Sequence, residues 1–150
     1  MFFRNTPAAT YDMIFYDLFS GVFVPFHTTT LEAFAEVKKS LKPDGVFVMN
    51  AVDGNDTHSQ RFVASLKLTL EKVFRHVLVK EVKYDKWNGS LTSFSVQASD
   101  ALLTELAEPV RLTAIASIAP WSPNAQTSQN ALVLKDNYAP VESMIFAAVR

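Results

Sequence analysis

The apolar residues fall in short blocks whose spacing changes from block to block. Tyr11-Asp-Met-Ile-Phe-Tyr-Asp17-Leu18 is a nearly unbroken apolar run closed by an acid. Lacking strict alternation, it reads as a strand buried on both faces, as in a parallel sheet. Phe19 to Thr28 is broken by Gly21 and Pro25 and reads as a loop. Leu31, Phe34, Val37 and Leu41 then recur at helical spacing, which predicts an amphipathic helix over about residues 30–41. Thr29 and Glu32 have the spacing of a capping box, in which hydroxyl and carboxylate each bond an orphan backbone N–H. Lys42-Pro-Asp-Gly45 stops the helix, because Pro43 disfavours helix at Lys42 and Gly45 permits a tight turn. Val46-Phe-Val-Met-Asn50 is the next buried strand.

Strand, helix and strand in such close succession imply parallel strands joined by a right-handed crossover. The pattern repeats. Asp53-Gly-Asn-Asp56 is a turn, Thr57 and Gln60 form a second capping-box pair, and Phe62, Val63, Leu66, Leu70, Val73 and Phe74 predict a helix over about residues 58–74. His76 to Val82 and Leu91 to Ala98 are both strand-like and flank Asn88-Gly89, whose positive φ angles suit a hairpin turn, so they are predicted to be antiparallel. Farther on, Ala101 to Ala107 reads as a helix and Val110 to Ala119 as another after Pro109. Trp121 to Asn130 reads as a polar loop, Leu132 to Leu134 as a short extended piece, and Val141 to Val149 as a terminal helix starting at Pro140. No repeat or linker divides the chain. Residues 1–150 read as one α/β domain, a parallel sheet finished by an antiparallel edge hairpin.

Composition narrows the function classes. With 49% hydrophobic and 19% charged residues the chain is globular, not disordered. Its net charge is −1, and no basic stripe suits nucleic acid or an anionic membrane. The run from Met13 to Phe26 is interrupted by Asp17, Gly21 and Pro25 and is too short to span a bilayer. The absence of cysteine excludes disulfides and thiolate metal sites and fits a cytoplasmic setting. His58 and His76 have no partner at metal-ligand spacing, so no metal is expected.

Asp17 is the sharpest candidate for chemistry. Open α/β sheets bind ligands beyond the carboxyl ends of their strands, and an acid followed by a glycine-containing loop lies in that zone. The competing reading is that Asp17 caps the turn after it, as Asp often does. His27, just ahead of a helix, either contacts a substrate or bonds nearby backbone, the commoner fate of a loop histidine. Ser20 precedes Gly21 without the surroundings of a nucleophile elbow. Neither glycine-rich nucleotide motif occurs: the only glycines are Gly21, Gly45, Gly54 and Gly89.

Several segments carry a resemblance. Tyr11-Asp-Met-Ile-Phe-Tyr-Asp17-Leu-Phe-Ser-Gly21, Val24-Pro-Phe-His27, Leu41-Lys-Pro-Asp-Gly45 and Leu134-Lys-Asp-Asn-Tyr-Ala-Pro-Val-Glu142 resemble the spermidine-synthase-like branch of class I S-adenosylmethionine-dependent methyltransferases and aminopropyltransferases. The resemblance implies the carboxy-terminal half of a Rossmann-like methyltransferase sheet, without the glycine-rich half that holds the cofactor. It makes Asp17 the acid that accepts the amine proton, with Ser20, His27, Tyr138 and Glu142 toward the substrate and Asp17, Leu18 and Phe19 toward S-adenosylmethionine or a derivative of it. The family's Asp-x-x-Asp pair here reads Asp17-Leu-Phe-Ser20, so the second acid is gone, and one carboxylate suits a polycationic amine less well. The resemblance further implies that strand 11–18 has lost its neighbour. An open strand edge between apolar faces calls for a partner, which leads to an expected homodimer through that strand. Three readings stand open: a truncated module without activity by itself, a transferase completed by a partner chain or at the dimer interface, and a protein that binds a small amine.

Overall fold

The computed structural model describes residues 2–18, 24–54, 60–84, 91–103, 115–138, 140, 141 and 144. Five strands form one sheet: β1 (Tyr11–Tyr16), β2 (Leu41–Gly54), β3 (His76–Tyr84), β4 (Leu91–Ser99) and β5 (Ile115–Pro120). Their spatial order is β1-β2-β4-β3-β5. β1 and β2 are parallel, and β4 joins β2, β3 joins β4 and β5 joins β3 antiparallel. Helices α1 (Leu31–Ser40), α2 (Arg61–Leu70) and α3 (Ala125–Asn130) are described beside the sheet.

The parallel unit β1-α1-β2 and the antiparallel β3-β4 pair form where predicted, but β1, read as buried on both faces, is covered on one only, with Met13 and Phe15 exposed. Asn88 and Gly89 lie outside the described residues. Other expectations are corrected. The stretch read as a helix over Val110–Ala119 holds β5 from Ile115, because β3 offers it an open strand edge from Lys80 to Tyr84 and pairing overrides the helix propensity of alanine. Residues 101–103, read as helix, are irregular, and 104–114 lie outside the description. The supposed loop Trp121–Asn130 contains α3, whose first turn is capped by Asn124 Oδ1 accepting from Thr127 N at 2.8 Å. Lys42-Pro-Asp-Gly45 does not stand outside the strand. It forms a bulge within β2, so that Tyr11 pairs with Leu41 but Met13 pairs with Val46. Gly45 sits in a tight place there: an added Cβ would lie 3.0 Å from the Lys42 carbonyl oxygen and 3.0 Å from Leu41 Cδ2, so these neighbours would have to give by a few tenths of an ångström.

Both capping boxes are also rearranged. Thr30, not Thr29, caps α1, accepting from Ala33 N at 3.2 Å, while Thr29 Oγ1 donates back to the Phe26 carbonyl. At α2, Gln60 is the residue before the helix and its side chain makes no cap; its Oε1 accepts from Trp121 Nε1 at 2.8 Å. Thr57 lies outside the described residues. The cap comes instead from the end of β2, where the fully buried Asp53 accepts from Val63 N at 2.7 Å.

The core lies on one side of the sheet. Ile14 and Tyr16 from β1, Phe47, Met49 and Ala51 from β2, and Phe94, Val96 and Ala98 from β4 alternate onto this side, beneath Phe34 and Val37 of α1 and Phe62, Leu66 and Leu70 of α2. Phe47 is at its centre, with ring centroids 5.0 Å from Tyr16 and 5.5 Å from Phe34. On the other side Val46, Val48 and Asn50 are half-buried, while Met13 and Phe15 are 53% and 60% exposed. Alternation along β1 therefore separates a covered face from an open one.

A strap follows α3. Leu132 N donates to Ser65 Oγ and Leu134 N to Thr69 Oγ1, both at 2.9 Å, so two hydroxyls one turn apart on α2 hold the strap's backbone. The Leu134 carbonyl then accepts from Leu31 N at 2.7 Å at the start of α1. Beyond Pro140, Met144 N donates to the Pro140 carbonyl, the expected helical start.

Candidate functional site

β1 ends at Tyr16, one residue before Asp17, and the parallel register opposes Tyr16 to Met49. The next residue on each strand is therefore Asp17 and Asn50, side by side at the carboxyl end of the parallel pair. Asn50 Nδ2 donates to Asp17 Oδ1 at 3.2 Å. Asp17 is exposed and Asn50 half-buried, so the carboxylate faces solvent with a carboxamide fixing one of its oxygens. The turn that Asp17 would cap, residues 19–23, lies outside the described residues; the described partner is a side chain on the neighbouring strand.

A second acid at this end of the sheet has a different fate. Asp53 is fully buried, with Oδ1 accepting from Gly54 N at 2.9 Å and Oδ2 from Val63 N. It anchors α2. The sequence reading passed over it because Asp53-Gly54 resembles an ordinary turn; the usable signal was an acid ending a strand shortly before a helix.

The start of α1 forms a third group. Thr30 Oγ1 donates to Asp136 Oδ1 at 2.6 Å, and Asp136 N donates to Glu32 Oε2 at 3.0 Å. The turn Lys135–Tyr138 is closed by reciprocal backbone bonds between its end residues. Asp136 thus clamps the strap to the helix, and Tyr138 is presented outward with 61% exposure. His27 is exposed in the short helical turn Phe26–Thr28 ahead of the same helix, its ring 5.6 Å edge-on from Phe26. His27 and Tyr138 therefore flank the beginning of α1, and no hydrogen bond among the described residues joins either one to Asp17. Leu18 is half-buried against the core. Phe19, Ser20 and Glu142 lie outside the described residues.

The described residues at these carboxyl ends form no enclosed site for a nucleoside. Such a ligand needs a walled apolar slot, whereas Asp17 is exposed and the outer edge of β1 has no paired strand among the described elements. Among the described residues, no group of His, Asp and Glu comes together as a metal site requires. No described helix is long and apolar enough to cross a membrane.

The architecture matches solved structures. A probable spermidine synthase from Corynebacterium glutamicum is 25% identical, with a TM-score of 0.57 over 69% of this chain and 36% of that one. The fold is spermidine-synthase-like. The spermidine synthase of Thermotoga maritima, at 15% identity, shares this fold with a TM-score of 0.51, covering 99% of this chain and 43% of that one. The chain thus spans less than half the length of either spermidine synthase. No family model and no curated protein matches the sequence. The mixed sheet with helices on its core side corresponds to part of a Rossmann-like methyltransferase fold.

Proposed function

We propose that this chain is a spermidine-synthase-like module that carries the amine-facing end of a transferase site, has no transferase activity by itself, and assembles as a homodimer through β1. The observation that carries this reading is the Asp17–Asn50 pair at the carboxyl end of the parallel pair β1–β2. A carboxylate held by a carboxamide suits an ammonium group, and it can take the proton an amine releases when its nitrogen attacks an electrophilic carbon. Ser20, His27, Tyr138 and Glu142 are the remaining candidates for the amine side, and Asp17, Leu18 and Phe19 for a donor derived from S-adenosylmethionine. The sequence has no glycine-rich cradle, which supports assigning the nucleoside side to another polypeptide segment. A cytoplasmic setting belongs to the same reading.

A second reading keeps full activity: a partner strand on the outer edge of β1 completes the sheet and the donor site together. The unpaired edge among the described elements favours it.

Calorimetric titration with putrescine, methylthioadenosine and S-adenosylmethionine separates these readings. Amine binding with no nucleoside binding supports the first. Nucleoside binding by the chain alone overturns it, and binding of neither class removes the site altogether. Light scattering that finds a monomer at micromolar concentration overturns the homodimer.

A further inference from the structure

The Asp17–Asn50 pair is one end of a longer polar row that runs straight across the sheet. Asn50 pairs with Ser95 of β4, and Ser95 pairs in turn with Lys80 of β3. Asp17, Asn50, Ser95 and Lys80 therefore stand level on four neighbouring strands. We infer that the amine this site takes carries an anionic group at its far end: the ligand is an ω-amino carboxylate, with its ammonium at Asp17 and its carboxylate at Lys80. This rests on the amine-site reading above and names the substrate class.

Strand alternation puts all four on one face. Met49, Ala51, Phe94, Val96 and Val79 are turned into the core, so Asn50, Ser95 and Lys80, each one position away, are turned to the other side. Asp17, which follows the core residue Tyr16, joins them there, as its bond to Asn50 requires. The adjoining rows carry no charge: Val48, Gln97 and Leu78 are level on one side, and Val52, Ser93 and Val82 on the other. A single line across the face thus holds a negative end, a carboxamide and a hydroxyl in the middle, and a positive end.

The charge of Lys80 is not consumed by its neighbours on β3. Glu81 points to the core side, where Lys83 Nζ lies 3.6 Å from its Oε2. Asp17 is three strand spacings away, about 14 Å at the backbone, too far for the two charges to meet directly. Lys80 is half-buried, a setting in which an ammonium without a counter-ion is worse off than in water. A second ammonium arriving there is repelled, whereas a carboxylate accepts from Lys80 Nζ and from Ser95 Oγ. The valines and the leucine of the adjoining rows suit the methylenes between the two charges of such a ligand.

Hexylamine, hexamethylenediamine and ε-aminocaproate share one chain and one ammonium and differ at the far end. In calorimetric titration ε-aminocaproate should bind roughly fivefold more tightly than hexylamine, the worth of one partly exposed ion pair, and the diamine more weakly than ε-aminocaproate. Lys80→Met keeps most of the stem and removes the charge, so ε-aminocaproate should fall to the level of hexylamine. Lys80→Glu should make the diamine the tightest of the three. Circular dichroism checks that each variant is folded, and the ranking in the parent needs no variant. A parent that binds the diamine as tightly as ε-aminocaproate, or a preference that survives Lys80→Met, overturns the inference and leaves the amine site standing. Binding of none of the three overturns the amine-site reading as well.

Discussion

Asn50 donates to Asp17 across 3.2 Å, joining the end of β1 to the neighbouring strand β2 through side chains. The bond orients the carboxylate without neutralising it. Asp17→Asn removes the charge and keeps the shape, so amine affinity should fall ~10-fold or more in calorimetry, equivalent to about 1.4 kcal/mol. Asn50→Leu should weaken binding by less, since the charge remains and only its orientation is lost. Both side chains lie outside the core, so the unfolding temperature should stay within about a degree or two of the parent. Unchanged affinity in Asp17→Asn would remove that residue from the site.

Asp53 should behave in the opposite way. It is fully buried and supplies the cap that Gln60 does not. Asp53→Ala leaves the Val63 and Gly54 amides without that acceptor and should cost about 2–3 kcal/mol in urea unfolding. Asp53→Asn, which keeps one acceptor oxygen, should cost less. Equal losses for the two would show that the cap is not what Asp53 contributes.

Acid stability should depend on Asp100. Burial pushes its carboxyl up, but the Lys38 ammonium at 2.7 Å and the Arg75 backbone N–H outweigh burial and hold it below the ordinary carboxylate value. A depressed value in the folded state means stability that is present above the unfolded value and lost as pH falls through the folded one. The parent should therefore lose stability through the carboxylate range more steeply than Lys38→Met. Identical pH profiles of the urea midpoint would dismiss the pair as a source of acid sensitivity.

Alkaline stability should depend on Tyr16. Burial raises its phenol from 10.0 to about 12. For a raised group the contribution is complete below the unfolded value and lost as pH rises through the folded one, so the window lies between pH 10 and about 12. Ultraviolet titration should show one tyrosine ionising late, together with unfolding. Tyr16→Phe should remove that step and flatten the alkaline profile.

Thr69 ties the strap to α2 through Leu134 N. Thr69→Val conserves volume and removes the acceptor, so it should cost about 1–2 kcal/mol by thermal unfolding. Hydrogen exchange at the Leu134 amide should rise at least as much as global stability falls. An unperturbed Leu134 amide would refute the role of the hydroxyl.

The first half of the fold was legible because its apolar blocks have lengths and spacings that only one kind of element satisfies. Leu31, Phe34 and Val37 mark a helix, and Val46 to Asn50 a strand, before any tertiary contact is considered. β5 was not legible. Ile115-Ala-Ser-Ile-Ala-Pro120 has too few apolar positions to declare its period, and it becomes a strand because β3 presents an edge to it. Asp17 was found from its position at a strand end. Its partner Asn50 was within reach of the same logic, since parallel pairing sets a residue of the neighbouring strand beside the strand end. Asp136 was noticed as part of a motif, but its bonds to Thr30 and Glu32 join segments far apart in sequence, and local spacing carries no sign of them.

The bulge at Lys42–Gly45 sets where that pairing falls. Between the first two register points, β1 advances from Tyr11 to Met13 while β2 advances from Leu41 to Val46. The surplus is held in place by Ser99 Oγ, which donates to the Gly45 carbonyl at 2.9 Å. It acts as a spacer between the end of α1 and the working part of β2. The helix keeps the length its core contacts demand, and Asn50 still arrives opposite Asp17. Shortening the bulge by one residue would bring Ala51, a methyl group, to the place where the carboxylate now finds its amide, and would turn Phe47 and Met49 out of the core.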